Sequence, residues 1–237
     1  EEFHETLRYF GHRLAETGVE LRLGTRAGPE QLAGFDGIVL ATGIVPRTVD
    51  FPGASHPMVV GYLDVLSGRA RVADRVAVIG AGGIGFDVAE FLVHEGVSPS
   101  LDPVRWRAEW GVDIEGSGRG GLAPPRPEPP AREVWLLQRS PGRPGARLGK
   151  TTGWIHRATL KAKGVKMLGG VEYLGVDDEG LHIRIDGSEQ LLPVGNVVVC
   201  AGQEPLRELQ AALQAAGVAT PVHLIGGADV AAELDAK

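Results

Sequence analysis

The sequence predicts an α/β protein with mainly parallel sheets and a small antiparallel layer, on three observations. Apolar strand-like runs alternate with helical ones through most of the 237 residues. One run, Val76-Ala77-Val78-Ile79, passes without a break into Gly80-Ala81-Gly82-Gly83-Ile84-Gly85, a turn of the kind that joins a strand to a helix. Glycine makes up 35 residues, about 15% and roughly twice the usual share, so many backbone positions must turn tightly or approach something closely.

The elements follow in order. Phe3, Leu7, Phe10 and Leu14 share one face of a helix that Gly18 ends. Val19-Glu20-Leu21-Arg22-Leu23 alternates as a strand does. Gly37-Ile38-Val39-Leu40-Ala41 reads as a buried strand ending in Thr42-Gly43. Residues 51–69 read as a linker. A strand over 75–79 precedes a helix from about Gly83 to His94. Residues 96–130 hold six Gly and seven Pro and read as an irregular insertion. A strand over 133–138, a Gly- and Arg-rich loop and a helix capped by Thr151-Thr152 come next. Segments 165–176 and 181–186 form a hairpin-like pair around Asp177-Asp178-Glu179-Gly180. Asn196 to Cys200 is a buried strand, Leu206 to Ala216 a helix and Val222 to Ile225 a strand, and a last helix starts near Asp229.

Composition excludes several classes. No G-X-Y period supports collagen, and 43% hydrophobic residues is too many for a disordered chain. No apolar run approaches a membrane span. The single cysteine, Cys200, offers no disulfide framework and no iron–sulfur ligand set. No signal peptide pattern opens the chain, and a cytoplasmic location is expected. The chain begins with Glu1 rather than Met, which fits a piece of a longer polypeptide. The net charge is −6, but the stretch from Arg132 to Lys166 carries nine basic residues against Glu133 alone. That asymmetry points to one site for a phosphorylated ligand rather than to nucleic acid. Lys161, Lys163 and Lys166 read as a solvated helix face.

The chemistry sits in the glycine turn. Gly80 permits the tight turn, Gly82 lets backbone approach a pyrophosphate, and Gly85 lets the helix pack on its strand. Gly83 and Ile84 open the helix, whose N-terminus favours an anion. NAD-specific proteins place a carboxylate at the end of the following strand. Here that strand ends Leu136-Leu137-Gln138-Arg139-Ser140, and Arg143 follows. A guanidinium there suits a 2′-phosphate, which favours NADP over NAD; the plainer alternative is a solubilising strand end. Val39-Leu40-Ala41-Thr42-Gly43-Ile44-Val45-Pro46 echoes Val198-Val199-Cys200-Ala201-Gly202-Gln203-Glu204-Pro205, suggesting two related dinucleotide-binding units unless the likeness is chance. Gly226-Gly227-Ala228-Asp229 would bring backbone near a flavin, with Asp229 also suited to a plain N-cap. The histidines are scattered; His156 is the one near the predicted site and reads as structural.

Together these residues resemble the C-terminal portion of the bacterial NADPH-dependent 2,4-dienoyl-CoA reductases. The likeness rests on Gly43-Ile44-Val45-Pro46-Arg47-Thr48, the turn from Ile79 to Asp87, Glu109-Trp110-Gly111-Val112-Asp113, Gly149-Lys150-Thr151-Thr152-Gly153-Trp154-Ile155-His156-Arg157, Cys200-Ala201-Gly202-Gln203-Glu204-Pro205 and His223-Leu224-Ile225-Gly226-Gly227. It implies nested FAD- and NAD(P)-binding Rossmann-like domains: residues 1–50 and 206–237 in an FAD-binding domain, 70–205 in an NADPH-binding domain carrying the insertion. It implies NADPH contacts at Gly80, Gly82, Gly83, Ile84, Gly85, Arg139, Ser140, Arg143, Lys150 and Gly202. FAD contacts fall at Ala41, Thr42, Gly43, Gly227 and Asp229. No side chain is expected to act as a catalytic acid or base, because the cofactors carry the chemistry, and no metal ligands are expected.

The family also carries an N-terminal barrel with FMN and the acyl site, and a 4Fe-4S cluster. None of their ligands, nor the first FAD glycine loop, is found in these residues, and the chain stops inside the family's last helix. The resemblance thus implies the part that takes a hydride from NADPH to FAD, with the barrel as its partner, no nucleic acid and no membrane. By itself the chain is expected not to reduce a dienoyl-CoA. Two other readings are an enoate reductase or amine dehydrogenase relative of the same build, and a nucleotide-binding module without activity.

Overall fold

The computed structural model describes residues 2–232. In chain order the elements are α1 (Glu2–Glu16), α2 (Pro29–Leu32), β1 (Ile38–Leu40), β2 (Ile44–Pro46), β3 (Val59–Gly61), α3 (Tyr62–Leu66), β4 (Arg75–Ile79), α4 (Gly83–Val93), α5 (Pro103–Trp110), β5 (Glu133–Leu137), α6 (Gly153–Ala162), β6 (Lys166–Leu168), β7 (Glu172–Asp177), β8 (Gly180–Ile185), β9 (Ser188–Leu192), β10 (Asn196–Val199), β11 (Gln203–Pro205), α7 (Glu208–Ala215) and β12 (Val222–Leu224). They form two compact units, Glu1–Ile44 with Pro205–Lys237 and Val45–Glu204.

The larger unit is built on a five-stranded parallel sheet in the order β3-β10-β4-β5-β6. Side chains alternate across it, as strand geometry requires. Val76, Val78, Val134 and Leu136 pack with Phe86, Val88 and Leu92 of α4 and Leu160 of α6. Ala77, Ile79, Trp135 and Leu137 face Leu181, Ile183 and Leu192. Those belong to a three-stranded antiparallel sheet, β7-β8-β9. The second face is thus covered by an antiparallel layer where a doubly wound fold has helices.

Two expectations in this unit need correcting. Residues 51–69 are not a linker: Val59, Val60 and Gly61 pair with Val197, Val198 and Val199, and Tyr62 and Val65 are buried in the core. The prolines and glycines there mark turns between short elements. The insertion over 96–130 contains a helix. Asp102 caps α5, its Oδ1 accepting from the amides of Val104 and Arg105 at 3.0 and 3.1 Å, and Pro103 opens it. Gly111 ends it at φ +66°, where a Cβ would stand 2.2 Å from the Ala123 carbonyl oxygen. Asp113 then gathers the loop, accepting from Ser117 Oγ and the Gly118 amide, both at 2.7 Å.

The smaller unit pairs β1 with β12 in parallel. Ile38 and Leu40 pack with Leu213 of α7. α1 forms as its periodicity predicts, yet Phe3, Leu7 and Phe10 are exposed. Residues 19–23 form no strand; their alternation has no partner ladder among the described residues. Residues 229–232 are not helical, and the rest of the predicted last helix lies outside the described residues.

Candidate nucleotide-binding site

The glycine turn lies at the C-terminal end of β4, between the ends of β5 and β10. The Gly80 amide donates to the Leu137 carbonyl at 2.8 Å, and the Cys200 amide donates to Ile79 at 2.7 Å. Gly80 has φ +105°, and a Cβ on it would stand 2.5 Å from the Cys200 carbonyl oxygen. A Cβ on Gly85 would stand 1.7 Å from the Gly80 carbonyl oxygen. Neither position admits a side chain, so the backbone curls against the sheet and α4 begins at once. Gly82 is the exposed N-cap of α4, and Gly83 and Ile84 follow in its first turn. The partial positive charge of the α4 N-terminus therefore meets an uncluttered backbone surface, which fits a pyrophosphate.

The next strand end carries the charge. Ile79 is in register with Leu137, so Gln138, Arg139 and Ser140 leave the sheet beside the turn. Arg139, Ser140, Arg143 and Lys150 are all exposed. Among the described residues, Arg139, Arg143, Arg147 and Lys150 form no ion pair. Among the described residues, no carboxylate is paired with this charge. On the other side, Gly202 lies just past β10 at φ +102°, its carbonyl accepting from the Arg47 amide at 3.0 Å. Lys150 lies just before the start of α6.

The basic stretch is not uniform. Lys163, expected on a solvated face, is 5% exposed. Its Nζ donates to Glu109 Oε1 at 2.8 Å and to the Glu128 carbonyl at 3.2 Å, fastening the insertion to the end of α6. Arg105 pairs with Glu128 beside it. Lys166 pairs with Glu133 at 2.5 Å and lies 4.4 Å from the Trp135 ring centroid. His156 Nδ1 lies 3.5 Å from Glu90 Oε2 and ties α6 to α4.

The predicted flavin contacts all fall in the smaller unit, where β1 and β12 end side by side. The Ile225 amide donates to the Leu40 carbonyl at 3.1 Å. Thr42 Oγ1 donates to the Leu206 carbonyl at 2.5 Å, and the Leu206 amide returns to Gly43 at 3.0 Å. A Cβ on Gly227 would stand 2.7 Å from Ile44 Cγ2 and 3.2 Å from the Gly43 carbonyl carbon, so these two glycine segments meet backbone to backbone. Ala41 and Asp229 are exposed at this edge. Arg207, which sequence reasoning missed, donates through Nε to the Ala228 carbonyl at 2.9 Å and holds the second segment. A ligand lying on this edge would meet backbone and small side chains, which fits the phosphate-bearing part of a flavin dinucleotide.

One group of ligand-type side chains, Asp177, Glu179 and His182, lies at the exposed β7–β8 turn. Asp177 Oδ1 accepts from the Glu179 amide at 2.9 Å, as in a turn, and Asp177 Oδ2 lies 2.8 Å from His182 Nε2. No helix among the described residues is long and apolar enough to cross a membrane.

A parallel strand running into a glycine turn that admits no Cβ at Gly80 or Gly85, with a helix starting at that turn, defines a dinucleotide-binding unit. Residues 9–226 match the family described as pyridine nucleotide-disulphide oxidoreductase, and the chain belongs to that family of FAD- and NAD(P)-binding oxidoreductases. The chain is 26% identical over 234 residues to a metal reductase of Desulforamulus reducens, covering 93% of this chain and 32% of that protein. It is 35% identical over 92 residues to a cinnamate reductase of Clostridium sporogenes, covering 38% of this chain and 14% of that protein. Among solved structures, a 2-naphthoyl-CoA reductase shares the fold at a TM-score of 0.72 and 22% identity, covering 98% of this chain and 30% of that one. The chain thus spans a third or less of the length of these relatives.

Proposed function

We propose that this chain takes up reducing equivalents from NADPH and passes them to FAD, as one portion of a larger reductase of the 2,4-dienoyl-CoA reductase type. The observation that carries this reading is the pair Arg139 and Arg143, exposed and in no ion pair among the described residues, in the loop that leaves β5 next to a glycine turn that fits a pyrophosphate. The bound groups would supply the chemistry, transfer of a hydride from reduced nicotinamide to flavin. The chain's own residues bind and orient. Gly80, Gly82, Gly83, Ile84 and Gly85 would hold the pyrophosphate of NADPH, with Gly202 on the opposite side. Arg139, Ser140, Arg143 and Lys150 would surround its 2′-phosphate. Ala41, Thr42, Gly43, Gly227 and Asp229 would hold FAD.

Acyl-CoA reduction would then belong to a partner barrel carrying FMN, reached through a 4Fe-4S cluster, and fatty acid β-oxidation is the corresponding setting in the cytoplasm. Support comes from length, since relatives are about three times longer, and from fold similarity to an acyl-CoA reductase. The local match to a cinnamate reductase favours an enoate reductase as the second reading. Neither nucleic acid nor membrane has a place in this scheme.

The test is anaerobic mixing of the chain, supplied with FAD, with NADPH or NADH. Loss of flavin absorbance that is faster with NADPH is the expected result. No loss with either nucleotide, or preference for NADH, would overturn the reading.

A further inference from the structure

The loop that follows β5 is held by contacts that no phosphate would need to touch. Gln138, half-buried at its base, directs Nε2 at two carbonyl oxygens, Ser140 at 3.0 Å and Gly142 at 3.3 Å. Two acceptors around one amide end require its nitrogen there. The outer side of the loop is clamped to the segment after β6. The Gly170 amide donates to Ser140 at 3.0 Å, and the Val171 amide donates to Gln138 at 3.0 Å. Gly169 is what allows this approach: a Cβ on it would stand 2.1 Å from the Gly142 oxygen and 3.4 Å from Gln138 Nε2. Further along, Arg157 of α6 donates through Nη1 to the Gly145 carbonyl at 2.7 Å.

Arg139 lies between Gln138 and Ser140, and Arg143 directly follows Gly142. Arg139 lies within the backbone that the Gln138 amide spans, and Arg143 is the first residue past its far end. Without that amide two loop carbonyls lose a donor, and the backbone beneath both arginines gains freedom that a bound ligand must then remove.

We propose that Gln138 is a positioning residue. It holds the loop so that Arg139 and Arg143 meet a 2′-phosphorylated dinucleotide at low ordering cost, and it thereby sets the preference for that ligand. This deepens the NADPH reading above and rests on it.

The experiment is calorimetric titration of the chain with adenosine 2′,5′-bisphosphate and with adenosine 5′-monophosphate, so that no flavin or turnover is needed. The expected wild-type result is tighter binding of the bisphosphate. Gln138→Leu is expected to weaken the bisphosphate roughly three- to tenfold, the worth of one or two hydrogen bonds, and to leave the monophosphate unchanged. Gly169→Ala, which displaces the same carbonyl from the other side, is expected to do the same, and it carries the test if Gln138→Leu does not fold. Equal weakening of both probes would mean a merely structural residue and overturn the proposal, as would no weakening of either. A wild-type chain that binds both probes equally would instead overturn the NADPH reading, and the positioning role with it.

Discussion

The Lys163 Nζ lies 2.8 Å from Glu109 Oε1, with only 4% and 10% of the two side chains exposed. This ion pair joins the end of α6 to α5 of the insertion. A buried pair is a poor source of net stability, yet breaking it is costly because one charge stays buried alone. Lys163→Ala is therefore expected to destabilise the chain by about 3–5 kcal/mol, while the double replacement Lys163→Met with Glu109→Leu recovers most of the loss. Denaturant unfolding of the three proteins reads both effects. A single variant within about 1 kcal/mol of wild type would show the pair to behave as a surface one.

Much of the larger unit was legible because its signals are local. The run Val76-Ala77-Val78-Ile79 and the six residues after it specify strand, turn and helix start without reference to anything else. The insertion misled for the opposite reason. Two of its glycines and prolines, Pro103 and Gly111, open and close a helix, and without their remote partners they read as irregular chain. Lys163 looked solvated because Glu109 lies 54 residues away in sequence. Residues 19–23 alternate like a strand, but alternation cannot say whether a partner exists. In the candidate site, the place of the arginines just after β5 was visible in the sequence, whereas the contacts of Gln138 were not. A glutamine at a strand end carries no sequence signal; its role comes from two carbonyls that the loop folds back toward it.

Glycine positions separate by the space around them. Gly85→Ala would put a Cβ 1.7 Å from the Gly80 carbonyl oxygen, so the turn must open. It is expected to cost about 1–3 kcal/mol or more and to abolish nucleotide binding. Gly11→Ala, with nothing within 4 Å of the new Cβ, is expected to stabilise α1 by about 0.5–1 kcal/mol and leave binding intact. Thermal melts and nucleotide titration distinguish the two. Equal effects at both positions would contradict the packing described for α4.

Cys200 titrates unusually. Burial pushes its thiol up to about 12. The unfolded chain ionises this thiol near pH 8.5, the folded chain does not. Stability from keeping it neutral is full below about pH 8.5 and is lost as pH rises toward 12. Alkylation by iodoacetamide at pH 8 is expected to be slow in the folded protein and fast in denaturant. Equal rates in both would contradict the burial of Cys200. With no second cysteine among these 237 residues, it has no disulfide partner here.

In the proposed function Arg139 is the residue that decides between the two nicotinamide dinucleotides. The direct measurement is titration of wild type and Arg139→Ala with NADPH and NADH. Loss of charged hydrogen bonds to a 2′-phosphate should weaken NADPH by about ten- to a hundredfold and leave NADH binding as it was. An Arg139→Ala chain that keeps the wild-type preference between NADPH and NADH would contradict the assignment of this loop to the 2′-phosphate.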